Sequence, residues 1–226
     1  MKLTIATWNV HEFVGADDRR DDARIADVVK SLDADIVALQ EVPLNRDETP
    51  PQSLLHMPDL HTVVAAHERW DGVWLGNVIL SKLPLKKKRR VDLDFRTHEP
   101  RSFIEGIFET GSAPLRVIAT HLGLRPAERR FQVKRILESV SDDETSVTVL
   151  LGDFNEWFLV GRPLRWLHAR FGKAHALRTF PARLPVLALD RVWVHPPRRL
   201  MTIGTRSSEL IKRASDHLPV VATLDV

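Results

Sequence analysis

Asp153 and Asn155 stand at the exit of the apolar run "VTVLL", in "LLGDFNEW". Alternate residues of a strand share one face, so these two side chains are expected to point the same way. The pattern recurs. Asn9 and His11 close "TIATWNVHE", Glu41 closes "IVALQE", and His121 closes "RVIATH". Asp190 opens "DRVWV", and Asp216 and His217 precede "LPVV". Six strand-like segments therefore carry Asn, Asp, Glu or His at a terminus. If the termini converge, they line one pocket with carboxylates, carboxamides and imidazoles. Such donors without thiols favour a hard, octahedral cation, Mg²⁺ or Mn²⁺. A cation of this kind binds phosphoryl oxygens, and nearby histidines exchange protons with a reacting group. The corresponding reaction is attack of water on a phosphate ester.

Taken singly, each residue has a plainer explanation. Asn at a strand end is commonly a turn residue, and "SDH" is a common cap. An isolated Glu is usually solvated, and a lone histidine such as His121 is more often a satisfied core residue than a catalytic one. The coincidence of six such termini is what favours chemistry.

The elements that must position these residues follow from periodicity. "LTIATWNV" and "DIVALQEV" carry apolar residues on both faces, as buried strands do. Between them, "DARIADVVKSLDA" spaces Ile25, Val28, Val29 and Leu32 as a helix, with Asp21 or Asp22 as N-cap. Asn45 to Asp59 reads as loop. Strands are expected in "HTVVAAHE", "DGVWLGNVILS", "KKKRRVDLDF", "SFIEGIFET" and "PLRVIATHL". Pro126 opens a helix with an apolar stripe at Phe131, Val133, Ile136, Leu137 and Val140. "SVTVLLGDF", "DRVWVHP", "LMTIGT" and "LPVVATLDV" add strands, and a shorter helix covers Arg162 to Phe171. So many strands with so few helices do not fit a doubly wound sheet. They predict an α/β class with two packed sheets and helices outside, in the order helix, sheet, sheet, helix. No linker or low-complexity tract interrupts the 226 residues, so one domain over 1–226 is expected.

Composition narrows the class further. Hydrophobic residues make up 43% and charged residues 28%, as in ordinary globular chains. The net charge of +3 is too small to argue for nucleic acid alone, although a pI near 9.4 leans towards an anionic partner. Absence of cysteine excludes disulfides, thiolate metal sites and a Cys nucleophile. No segment reaches the roughly 20 apolar residues that span a bilayer, and no signal-peptide pattern opens the chain. A cytoplasmic monomer is the expectation.

"TWNVHE", "LQEV", "GNVILSKLP", "THLG", "GDFNEW", "LDRVWV" and "SDHLPV" resemble, in order, the motifs of the endonuclease/exonuclease/phosphatase superfamily, which includes deoxyribonuclease I. The resemblance runs from Thr7 to Val220. It implies a four-layer α/β/β/α sandwich of two mixed sheets and a Mg²⁺-dependent phosphoesterase. It also implies roles. Asn9, Glu41 and Asp216 become metal-side residues, with Glu41 the principal ligand. Asp153 orients or deprotonates the attacking water, and Asn155 holds the scissile phosphate. His217, paired with Asp190, contacts that phosphate, and His121 becomes an acid for the leaving oxygen. Asn77 and Arg101 touch substrate. His11 stands where abasic-site endonucleases carry Asp, and the chain has no tyrosine, which that branch uses. These departures favour a compact phosphodiesterase acting on a small molecule or a phospholipid headgroup. A nuclease is the alternative, and a non-catalytic phosphate-binding module a distant third.

"KKKRR", Lys86 to Arg90, suggests nucleic acid or membrane, but an edge strand with solvated lysines is the simpler reading. Arg129, Arg130, Lys134 and Arg135 read as the solvated side of a helix. Most of Trp70, Trp74, Trp157 and Trp166 are assigned to core packing, with Trp157 the candidate for a pocket wall or a lipid-headgroup contact.

Overall fold

In this computed structural model, residues 1–57, 60–111, 113–140 and 147–226 are described. The chain builds two βαβ units. In the first, β1 (Lys2–Asn9), α1 (Asp22–Ser31) and β2 (Ile36–Pro43) place two parallel strands side by side. Asp21 caps α1, accepting the Arg24 N–H at 2.9 Å. In the second, β7 (Leu115–His121), α3 (Pro126–Ser139) and β8 (Val147–Asp153) repeat the arrangement. All other strand pairs are antiparallel. They involve β3 (His61–Glu68), β4 (Trp74–Ser81), β5 (Leu85–Asp92), β6 (Ser102–Phe108), β9 (Asp190–His195), β10 (Leu200–Thr205) and β11 (Val220–Asp225).

The strands form a six-stranded sheet, β10-β11-β1-β2-β4-β3, and a five-stranded sheet, β5-β6-β7-β8-β9. Alternation along each strand explains the layers. Ile5, Ile36, Ile79, Val117, Val149 and Leu151 face the opposite sheet. Trp8, Val37 and Leu39 face α1 and α5 (Glu209–Ala214). Ile118, Leu150 and Trp193 face α3 and α4 (Arg162–Phe171). Burying each such side chain contributes roughly 1.5–3 kcal/mol. The α/β/β/α order expected from two-faced apolar strands is the order observed. Trp8 and Trp193 are the fully buried tryptophans.

Four expectations need correction. Asn45 to Asp59 is not all loop, because Gln52–Leu55 form one helical turn, α2; Pro58 and Asp59 lie outside the described residues. Helix α5 has no counterpart in the sequence reading, although Ser208 caps it by accepting the Ile211 N–H. Trp70 is exposed rather than a core residue, Trp74 and Trp166 are half-buried, and Trp157 is exposed at a cavity wall, the place expected for it. Finally, Arg129 is fully buried, not solvated. It follows the helical stripe of Val133 and Ile136 and reaches Glu156 at 3.2 Å. Strand β5 lies at a sheet edge with Lys86, Lys87 and Lys88 exposed, as the edge-strand reading required. Among the described residues no helix is long and apolar enough to cross a membrane.

This topology collects the polar strand ends. Parallel β1 and β2 both terminate at one end of their sheet, with Asn9 and Glu41. Parallel β7 and β8 terminate together with His121 and Asp153, which are register partners. Antiparallel β9 begins at that same end, so Asp190 pairs in register with Asp153. β11 likewise begins there, with Val220 opposite Thr7 and His217 just before it.

Gly152, one residue before Asp153, has φ +139°, and an added Cβ would lie 1.9 Å from the Thr120 carbonyl oxygen. Substitution Gly152→Ala combines a forbidden backbone with a clash against a central strand. It is expected to cost at least about 1–3 kcal/mol. Urea denaturation checks this, and an unchanged midpoint would refute it.

Candidate active site

The strand ends meet in a cavity of about 370 Å³ lined by Asn9, Glu41, His121, Asp153, Asn155 and His217. Asn9 is the bridge. Its Nδ2 donates to Glu41 Oε1 at 3.0 Å and to Asp153 Oδ2 at 3.1 Å, joining the two sheets. Its Oδ1 accepts the His11 N–H at 3.0 Å. Asp153 Oδ2 lies 3.7 Å from both His121 Nε2 and His217 Nε2. Asp153 Oδ1 accepts the Asn155 N–H at 2.9 Å.

Two of these residues occupy unusual backbone conformations. Glu41 has φ +55° at a β-bulge, where the β2–β4 register shifts between Leu39 and Val42. The bulge adds a residue to one strand and re-aims its side chain. Asn155 has φ +48°, a conformation that Asn tolerates better than most residues. Its Nδ2 donates to the Leu122 carbonyl at 2.8 Å and faces His121 Nε2 at 3.0 Å. His11, Glu12 and Phe13 make a left-handed turn, with φ of 47°, 53° and 68°. It brings Glu12 to the cavity, where Arg69 pairs with it at 2.5 Å.

His217 Nδ1 and Asp190 Oδ2 are hydrogen bonded at 2.8 Å, and Asp190 is fully buried. Burial opposes the His217 cation. The charges of Asp190 and Asp153 and the Asp190 hydrogen bond outweigh it, pushing the imidazole up to about 10. Ligand-type atoms of Asp153, Asp190 and His217 lie within 4.8 Å of one another. The Nδ1–Oδ2 hydrogen bond makes His217 and Asp190 a His–Asp dyad, with Asp153 as the neighbouring carboxylate. His121 moves the other way. Burial, then the charges of Arg101, His217 and His67, hold it well below the ordinary histidine value, hence neutral. Burial raises Glu41, and it raises Asp153 to about 6, with Asp190 adding to the latter.

The remaining predicted residues divide. Arg101 lines the cavity, gripped by Glu99 through contacts of 2.9 and 3.1 Å. Asn77 does not line it. Asn77 is buried and ties β4 to β6 through Nδ2 to the Ser102 carbonyl at 3.0 Å. Asp216 also stays outside the lining, where its charge supports the His217 cation. Glu12, Arg69 and Glu99 were missed. The available signals were weak: Glu12 follows His11, and Glu99 precedes Arg101 by two.

A profile of the endonuclease/exonuclease/phosphatase family matches residues 6–217. The chain belongs to this family. Its members are hydrolases acting on phosphoester bonds, and they include phosphodiesterases, phosphatases and nucleases. The uncharacterized protein YbhP of Escherichia coli (strain K12) is 32% identical over 213 residues, which are 84% of this chain and 83% of YbhP. A family structure from Beutenbergia cavernae superposes with a TM-score of 0.81 at 23% identity, covering 100% of this chain and 72% of that one. The Bacteroides thetaiotaomicron mannosyl-6-phosphatase Bt3783 superposes with a TM-score of 0.78 at 18% identity, covering 99% of this chain and 100% of its own. At these identities the two structures establish the fold.

Two measurements test the site's electrostatics. His217 is raised from 6.5 to about 10, so its stabilisation is complete below pH 6.5 and disappears as pH climbs through 10. Unfolding free energy is expected to fall across that window, and Asp190→Asn should flatten the decline; parallel profiles would disprove the dyad's role. Separately, Glu156→Ala leaves Arg129 buried without its carboxylate. Urea denaturation should register a loss of about 3–5 kcal/mol, and a loss below about 1 kcal/mol would contradict a structural ion pair.

Proposed function

We propose that this chain is a divalent-cation-dependent phosphoesterase that hydrolyses a phosphodiester by attack of water. The observation that carries the reading is the position of Asp153, hydrogen bonded to the Asn9 amide and 3.7 Å from two histidines of opposite charge state. Convergence of such groups from both sheets is what hydrolysis requires and what packing alone does not.

The donor set fits a hard cation. Glu41 opens to the cavity with its side chain 22% exposed, and no Lys or Arg among the described residues pairs with it. The Asn9 amide fixes its Oε1, leaving Oε2 directed to no protein donor among the described residues. Burial disfavours both Glu41 and Asp153 as anions, a cost that a nearby cation would offset. Glu41 is the assigned ligand, with Asn9 orienting it. Asp216 acts through His217. A bound Mg²⁺ or Mn²⁺ supplies charge neutralisation at the phosphoryl oxygens.

The protein groups do the rest. Asp153 Oδ2 orients the attacking water and accepts its proton. The His217 imidazolium, fixed by Asp190, points Nε2 at the phosphate and gives that proton to the leaving oxygen as its bond to phosphorus breaks. Arg101 adds a second positive charge, and Asn155, whose Nδ2 meets the Leu122 carbonyl and His121 Nε2, fixes His121 beside the phosphate position. His121 is neutral and faces the Asn155 amide, so it acts as a hydrogen-bond partner rather than as the leaving-group acid that the resemblance implied. The physiological ester is a small molecule or a phospholipid headgroup. The similarity of fold to a mannosyl-6-phosphatase makes a phosphomonoester the comparison to run.

Hydrolysis of bis-p-nitrophenyl phosphate and of p-nitrophenyl phosphate, each with Mg²⁺ or Mn²⁺, tests the reading. The diester should be the faster substrate, EDTA should abolish turnover, and Asp153→Ala should lower kcat by about 10²–10⁴. A wild-type protein that hydrolyses neither ester with either metal would end the proposal.

A further inference from the structure

Beside the cavity, the chain does something that turns rarely do. Gly161 N–H donates to the Phe158 carbonyl at 2.8 Å, closing a turn with Leu159 and Val160 at its two corners. Corner positions normally take Gly, Pro, Asn, Asp or Ser. Here they take two aliphatic residues, 57% and 80% exposed, next to Phe158 at 59%. The turn is built rather than loose. Glu156 Oε1 accepts the Phe158 N–H at 3.1 Å, while its Oε2 holds the buried Arg129. The Arg129 guanidinium lies 4.9 Å from the Trp157 ring centroid. A hollow of about 320 Å³ gathers Phe158 and Val160 with Arg130 and Arg162. Neither arginine has an ion-pair partner among the described residues. Trp157 and Leu124, also exposed, continue the apolar surface to the mouth of the catalytic cavity.

We propose that the turn from Trp157 to Val160, with Arg130 and Arg162, docks this protein onto an anionic lipid bilayer. Contiguous exposed apolar side chains mark an interaction surface. Unpaired arginines beside them match a plane of phosphates, and an aromatic ring at the boundary suits a surface that is apolar on one side and wet on the other. Nucleic acid fits less well, because Leu159 and Val160 offer no ring face on which a base could stack. The turn opens at Phe158, three residues after Asn155, so insertion would bring the cavity mouth to headgroup level. The further consequence, that the hydrolysed ester is a lipid headgroup, rests on the phosphoesterase reading; the docking itself does not.

Flotation with vesicles of phosphatidylcholine containing about one-third phosphatidylglycerol tests this. Wild-type protein should float with them, less so at high salt. The triple variant Phe158→Ser/Leu159→Ser/Val160→Ser and the double variant Arg130→Glu/Arg162→Glu should each bind about tenfold more weakly or worse. Both should keep the wild-type melting temperature and, in the triple variant, soluble diester hydrolysis. The proposal is overturned by wild-type protein that stays at the bottom, by a triple variant that still floats, or by capture of a single-stranded oligonucleotide in place of vesicles. A wild-type dimer that the triple variant dissolves would overturn it too, assigning the patch to self-association. Vesicle binding without any hydrolysis would uphold the docking and remove the chemistry.

Discussion

The structure depends on keeping three carboxylates and an imidazolium together out of water. Glu41, Asp153 and Asp190 would repel one another in a medium that screens poorly. Asn9 and His217 prevent that outcome. The Asn9 amide shares its two N–H bonds between Glu41 and Asp153, and the His217 ring stands between Asp190, bonded to its Nδ1, and Asp153, 3.7 Å from its Nε2. Because Asn9 and Asp153 belong to different sheets, one hydrogen bond both stabilises a buried carboxylate and ties the layers together at the site. Elsewhere the sheets are joined mainly by apolar packing, which tolerates small sliding, with the Asn77–Ser102 hydrogen bond between β4 and β6 a further directional tie. Here they are joined by a directional contact, which does not.

The two βαβ units explain why the site sits at this end of the sandwich. Parallel strands deliver their carboxyl ends together, and each antiparallel neighbour begins where they stop. The polar strand ends thus gather by topology, and the segment between α4 and β9 adds Phe180 and Leu187 to the lining, the Phe180 ring against His217. Supports lie just behind. Ser215 Oγ donates to the Asn9 carbonyl at 2.7 Å and accepts the His217 N–H at 3.1 Å. Trp8 Nε1 donates to the His217 carbonyl at 2.9 Å. Such contacts hold the dyad to the first strand, so its geometry is inherited from the core.

Much of this was legible from residue order. Period-two alternation located every strand, and a polar residue at the end of an apolar run identified Asn9, Glu41, His121, Asp153, Asp190 and His217. What escaped was decided by packing. Arg129 occupies a core-facing position of α3, in line with Val133 and Ile136, yet residue type argued for solvent; the buried Glu156 and the Gly123 and Leu124 carbonyls make the position tenable. Helix α5 is too short for its periodicity to stand out, and its apolar content is Leu210, Ile211 and Ala214. Trp70 misled because aromatic rings serve core and surface alike. Glu12 and Arg69 meet across 57 positions of sequence through a left-handed turn that no spacing rule foretells.

The backbone at Glu41 carries one more implication, for descent rather than catalysis. A glutamate in the left-handed region is held there against its own preference, which glycine or asparagine would not resist. With Glu41 as the cation ligand proposed above, selection for turnover works against selection for a relaxed chain at this position. A gene copy released from its duty should drift towards Gly or Asn at 41, gaining stability as it loses its anion. Paralogues that keep the sandwich but carry either residue there would be recognisable as retired enzymes.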